Sequence, residues 1–102
     1  MQIFEVRISQ EAINDMGALR LFLNKMMSEE GAVRYANAMR AEINSLSVYA
    51  NFYARSSSKT LRLIHPDARR MVSHNRRWIY VYHIEEDVVI VDRIIPAKMN
   101  KG

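Results

Sequence analysis

Basic side chains crowd one stretch of this sequence. Between residues 52 and 77 stand Arg55, Lys59, Arg62, Arg69, Arg70, Arg76 and Arg77, opposed by Asp67 alone. Guanidinium groups at that density suit an anionic partner, either nucleic acid or an acidic protein, although a solvated face of a basic domain carries the same count. His65, His74 and His83 follow one another at intervals of nine residues, which matches no local metal motif, so no metal site is expected. His83, set beside Tyr82 in a strand-like run, is the candidate acid or base, against the plainer role of a hydrogen-bonded strand histidine. Nucleophile elbow, P-loop and paired catalytic carboxylates are all missing from the sequence, and Glu85-Glu86-Asp87 reads as a solvated turn. No cofactor is implied.

The 102 residues are 49% hydrophobic and 25% charged, with three Gly, two Pro and no Cys, a composition that fits one folded domain over 1–98 followed by a short basic tail, 99–102. Its longest stretch without a formal charge, residues 43–54, is 12 residues long and contains Asn and Ser, too short and too polar to span a membrane. The N-terminus lacks the basic and apolar regions of a signal peptide, and the cysteine count gives no reason to expect an oxidising compartment, so a cytoplasmic location is expected. Charge is unevenly shared. Residues 1–51 carry five basic groups against six acidic ones, whereas 52–102 carry ten against five.

The elements that must position these side chains are legible from periodicity. Phe4, Val6 and Ile8 alternate with Ile3, Glu5 and Arg7, predicting a strand over 2–8. Ser9 is placed to cap a helix of about 18 residues with its apolar seam at Ala12, Met16, Leu19, Leu23 and Met26. Ser28 begins a second helix, whose seam of Ala32, Ala36, Met39, Ile43, Leu46, Ala50 and Tyr53 runs in steps of four and three. Matching seams and a minimal connection predict an antiparallel helical hairpin rather than a free coiled coil. Residues 54–59 read as a loop, 60–64 and 69–73 as short strands around a His65-Pro66-Asp67 turn, and 74–76 as a tight reversal. Residues 78–84 have two apolar faces, as in a central strand, and 88–95 form a last strand closed by Pro96. The expected class is α+β, in the order β-α-α-β-β-β, with an antiparallel sheet carrying the helical hairpin on one face.

Three stretches resemble the RelE/ParE superfamily of bacterial type II toxins, the group that includes plasmid stabilization proteins. They are Ser9 to Met16 after the first strand, the Ile43-Asn44-Ser45-Leu46 run before the loop, and Arg76 to Ile95 across the hairpin. The resemblance implies the fold just described and a small cognate antitoxin protein as partner. It also implies one of two targets. RelE-like members cleave messenger RNA on the ribosome, whereas ParE-like members bind DNA gyrase and are not nucleases. Pairing of two copies into a homodimer is compatible with either, and no membrane partner is implied.

Cleaving RNA through its own 2′-OH needs a base, cations for the phosphorane charge and an acid for the leaving oxygen, but no metal. If the chain were a nuclease, the candidates would be Arg70, Arg76, Arg77, His83 and Lys98. Of the cations that the RelE-like pattern places, only Arg70 and Lys98 match, because Ile79 stands where that branch has an arginine and Pro96-Ala97 where many members have His or Arg. By comparison with a lost oxyanion donor, one missing cation removes about 2.7–4 kcal/mol of transition-state stabilisation. The ParE-like branch is therefore favoured, with an inactive binding module of the same fold as a further alternative. The surface expected to meet target or antitoxin comprises Arg62, Arg69, Arg70, Arg76, Arg77, Arg93 and Lys98, with Tyr80 and Tyr82. Since aromatics favour central strands, the two tyrosines are equally well read as sheet packing. The arginines after Tyr53 are expected to converge on one cationic surface.

Overall fold

A computed structural model describes residues 2–99. Strand β1 spans Glu5–Ile8, shorter than expected because Gln2 and Ile3 lie outside it, and Phe4 instead donates its N–H to the Ser47 carbonyl at 2.8 Å. Ser9 then acts as predicted: its hydroxyl oxygen accepts the Ala12 N–H at 3.1 Å and starts α1, Gln10–Met26. The same hydroxyl donates to the Asp92 carbonyl at 2.8 Å, so the helix start is tied to the far end of the chain. Ser28 caps α2, Glu29–Tyr49, by accepting from Gly31 N.

The seams of α1 and α2 are the core. Ala12, Leu19 and Leu23 face Ala32, Met39, Ile43 and Leu46, all buried, and the small alanines let the two helices approach closely. Met26, expected to complete the first seam, is 66% exposed instead, because α1 ends there and leaves its last turn without a facing layer. A single 3₁₀ turn, Ala50–Phe52, closes α2.

One correction concerns the stretch expected to be a strand over 60–64, which is a short helix, α3, Lys59–Ile64. Ser58 caps it by accepting from Leu61 N, and Leu61 and Ile64, three apart, turn inward while Leu63 is 88% exposed. The alternation of Leu61 and Leu63 suggested a strand, but only one of the two has a surface to bury.

Strands β2, Arg69–Val72, β3, Trp78–Glu85, and β4, Val88–Pro96, form an antiparallel meander as predicted. The sheet order is β1-β4-β3-β2, and β1 joins β4 in parallel, Val6 opposite Val89, which makes the sheet mixed. Parallel pairing requires a long crossover, and the helical hairpin begins that crossover. A bulge at Val81/Tyr82 inserts Asp92 into β4. The α1–α2 hairpin covers the sheet face carrying Met71, Tyr80, Tyr82, Val89, Val91 and Ile94. On the other face, Ile79 and Val81 pack with Leu61 and Ala68, so β3 is covered on both sides as its sequence demanded. Among the described residues no helix is long and apolar enough to cross a membrane. Most of the expected basic tail, residues 100–102, lies outside the described residues.

Candidate functional site

The turn between β2 and β3 is the most tightly specified surface feature of the fold. Ser73 and Trp78 close it, Ser73 N donating to Trp78 O at 2.8 Å and Trp78 N to the Ser73 hydroxyl at 3.1 Å. Inside it, the Asn75 carboxamide oxygen accepts from the Ser73 hydroxyl at 2.7 Å and from Arg77 N at 3.0 Å. Helix α2 holds the turn from below. Tyr35 OH accepts from the Asn75 side chain at 2.7 Å and from the Trp78 indole N–H at 2.8 Å, while Glu42 accepts from His74 N at 2.6 Å. Arg76 occupies the left-handed region, φ 63°, a conformation with a cost for a residue other than Gly that this network sustains.

The outcome is a rigid platform presenting two cations. Arg76 and Arg77 are exposed, and Ala97 N donates to the Arg77 carbonyl at 2.9 Å, which brings Lys98 alongside. With Phe22, Trp78 and Pro96 the three cations line a cleft of about 340 Å³. Among the described residues, no acidic side chain pairs with Arg76, Arg77 or Lys98.

The remaining cations do not join them, which corrects the expectation of one converged surface. Neighbouring strand residues point to opposite faces. Arg69 turns to the helical side, donating to the Tyr53 carbonyl at 2.7 Å, whereas Arg70, opposite Val81, lies on the α3 side. Arg62 projects from α3 into solvent, and Arg55 pairs with Asp67 at 3.2 Å. Arg93 is bound to Asp15 on α1 through Nε at 2.8 Å and a second nitrogen at 3.1 Å, and this pairing raises its pKa. The same Asp15 carboxylate accepts from Ile94 N at 2.9 Å, so Arg93 acts as part of the α1–β4 joint.

Tyr80 and Tyr82 are corrected as surface residues. Both are fully buried beneath the helical hairpin, Tyr80 OH donating to Glu42 at 2.8 Å and Tyr82 OH to the Ala50 carbonyl at 2.7 Å. Burial pushes both phenols well above the ordinary tyrosine range. Glu42 adds to the shift at Tyr80, and Arg69 only partly offsets that at Tyr82. Ile79 is buried under α3, so the position where an arginine would stand in a nuclease faces apolar side chains.

His83 is also buried, with Nδ1 at 2.6 Å from an Asp92 oxygen, Nε2 at 3.3 Å from Glu85, and the ring of His65 stacked on it at 3.6 Å. Ligand atoms of His65, His83 and Glu85 lie within 4.8 Å of one another, the one grouping of described residues able to offer a metal three donors. Protein atoms already engage its nitrogens, however, since His65 Nδ1 accepts the Asp67 N–H at 3.0 Å. The nuclease candidates thus fall into two sets: His83 stands five residues along β3 from Trp78 and the Arg76–Arg77 turn, about 17 Å at strand rise. A base and cations so separated cannot converge on a single phosphate.

Sequence reasoning missed the aromatic and proline wall of the cleft. Phe22 signalled it, since it is a large apolar residue off the α1 seam and is 53% exposed. The histidine stack brings together residues 18 apart that no local spacing rule links.

No protein-family model matches the chain, and no curated protein matches it. Among solved structures it is similar to a chain of the chromosomal ParDE TA system from P. aeruginosa, with a TM-score of 0.77 at 15% identity, over 92% of this chain and 96% of that one. With its helical hairpin laid on a sheet of order β1-β4-β3-β2, the chain has a RelE/ParE-like fold.

Proposed function

We propose that this chain is the toxin of a type II toxin–antitoxin pair, ParE-like in acting by binding a protein target such as DNA gyrase, and neutralised by a cognate antitoxin. The observation that carries the reading is the likeness, over nearly the whole chain, to a structure of a ParDE system. The ParE-like branch is supported over the nuclease branch by the burial of Ile79 and by the separation of His83 from Arg76, Arg77 and Lys98. Protein recognition asks for a rigid, exposed surface rather than a converging acid, base and cation set, and the β2–β3 turn offers one.

Induced expression in a bacterial host, with purified protein added in parallel to a supercoiling assay, tests the proposal. Growth arrest together with inhibition of gyrase at micromolar protein is the expected outcome. Primer-extension mapping that revealed transcripts cut on the ribosome would replace it with the RelE-like reading, and harmless overexpression would mark an inactive binding module.

A further inference from the structure

The cleft at the β2–β3 turn is one end of a longer groove. A second hollow of about 290 Å³ shares Phe22, Trp78 and Pro96 with it and continues between α1 and β4 past Ala18 and Ile94 to the Asp15–Arg93 pair. Asp15 to Phe22 is two turns of α1, so this extension is about 10 Å long. Its wall is apolar: Trp78 has given its only polar atom to Tyr35 and has just ring surface left to offer. The charge at its far end is internally neutralised, Asp15 being occupied by Arg93 and the Ile94 amide. Unbalanced positive charge is therefore confined to one end, at Arg76, Arg77 and Lys98.

That asymmetry selects the occupant. A nucleic acid strand brings a phosphate every few ångströms and would lay several of them along the apolar stretch, where the sole cation is already paired. A polypeptide can set carboxylates at one end and apolar side chains along the rest. Arginine favours such carboxylates, because its planar fork binds them through two parallel hydrogen bonds. The platform is also set in advance by the Tyr35 and Glu42 bonds, so little ordering of the turn is lost on binding.

We infer that the groove between α1 and β4 is a docking site for an acidic polypeptide segment of a partner protein, its carboxylates on Arg76, Arg77 and Lys98 and its apolar side chains against Phe22, Trp78 and Pro96. If the chain is a toxin, as proposed above, that partner is the antitoxin. The binding itself does not depend on toxicity and is measured without it.

The sequence contains one tryptophan, Trp78, which lies in the groove wall and reports occupancy by its fluorescence. A displayed library of random 12-residue peptides lacking Trp is selected on the full chain. Expected are enriched peptides pairing two or more Asp or Glu with Leu or Phe anchors. They should shift Trp78 emission and lose at least tenfold in affinity both for the R76A/R77A/K98A variant and for Phe22→Ser. All four side chains are exposed, so circular dichroism should be unchanged, and Lys98→Glu alone serves as a milder variant with a severalfold loss. The inference is overturned by failure to enrich acidic peptides, by binding to the triple variant within twofold of the parent, or by unaltered Trp78 emission. Tighter binding of an eight-nucleotide RNA through the same residues would overturn it in favour of nucleic acid. A harmless protein that still selects such peptides would remove the toxin reading and leave this one standing.

Discussion

Tyr80 and Glu42 meet across the main core, the β3 phenol donating to the α2 carboxylate at 2.8 Å while that carboxylate's other oxygen accepts the amide of His74 at 2.6 Å. One side chain thus serves a fully buried hydroxyl and the exposed turn that carries Arg76 and Arg77. Glu42→Ala leaves the hydroxyl without its partner and should lower stability by about 1–3 kcal/mol, more than Tyr80→Phe, which removes donor and demand together. The double variant should lose less than the sum of the two, a coupling that urea denaturation of the four proteins measures.

The raised phenols of Tyr80 and Tyr82 predict alkaline sensitivity. In the unfolded chain they release protons near pH 10, while in the fold they keep them to higher pH, so the native state binds more protons above that point. Stability is then complete below pH 10 and falls as pH rises further, by at most about 1.4 kcal/mol per pH unit for each tyrosine. Urea midpoints at pH 9 and pH 11 test this, and the drop should be smaller in Tyr80→Phe.

Asp15 gathers three donors, two from Arg93 and one from Ile94 N, at the joint between α1 and β4. Asp15→Ala should cost about 1–3 kcal/mol, since the cation and amide both lose a charge-assisted partner. Amide hydrogen exchange at Ile94 should quicken in the variant relative to β3.

Ile79 and its β2 partner Val72 give a paired test of burial. Ile79→Arg places a charge under α3 and should destabilise by several kcal/mol, so that the fold does not accept the arginine a nuclease would need. Val72→Arg, at a position 43% exposed on the same face of the edge strand, should stay within about 0.5 kcal/mol of the parent. Thermal denaturation separates the two, and a stable Ile79→Arg protein would contradict the packing described.

The caps and seams were readable because each depends on residues close in sequence. Ser9 and Ser28 bond to amides three positions on, and the alanine-rich seam of α2 repeats with the period of its own helix. Strand β3 was readable for the opposite reason, having no polar face at all, and the same property hid which side Tyr80 and Tyr82 take. Helix α3 was not readable, because six residues give too short a window for either period and Leu63 carries a hydrophobic side chain into solvent. The arginines misled because their density was counted along the chain. Arg69 and Arg70 are neighbours there, yet the pleat of β2 sends one to Tyr53 and the other to the α3 side. The cleft at Arg76 and Arg77 was half visible: its cations could be counted, but Phe22 reaches them only through the packing of α1 across the sheet end.

The parallel pairing of β1 with β4 sets an order of events during synthesis. Ser9 and Asp92, which join the two strands, are 83 residues apart, so at typical elongation rates roughly 4–17 s pass between emergence of the first strand's partner-seeking edge and arrival of its mate. Throughout that interval the hairpin seam has no sheet to cover. A chaperone that shields nascent apolar helices, or a partner already waiting in the cell, would find this chain most receptive before its last strand is made.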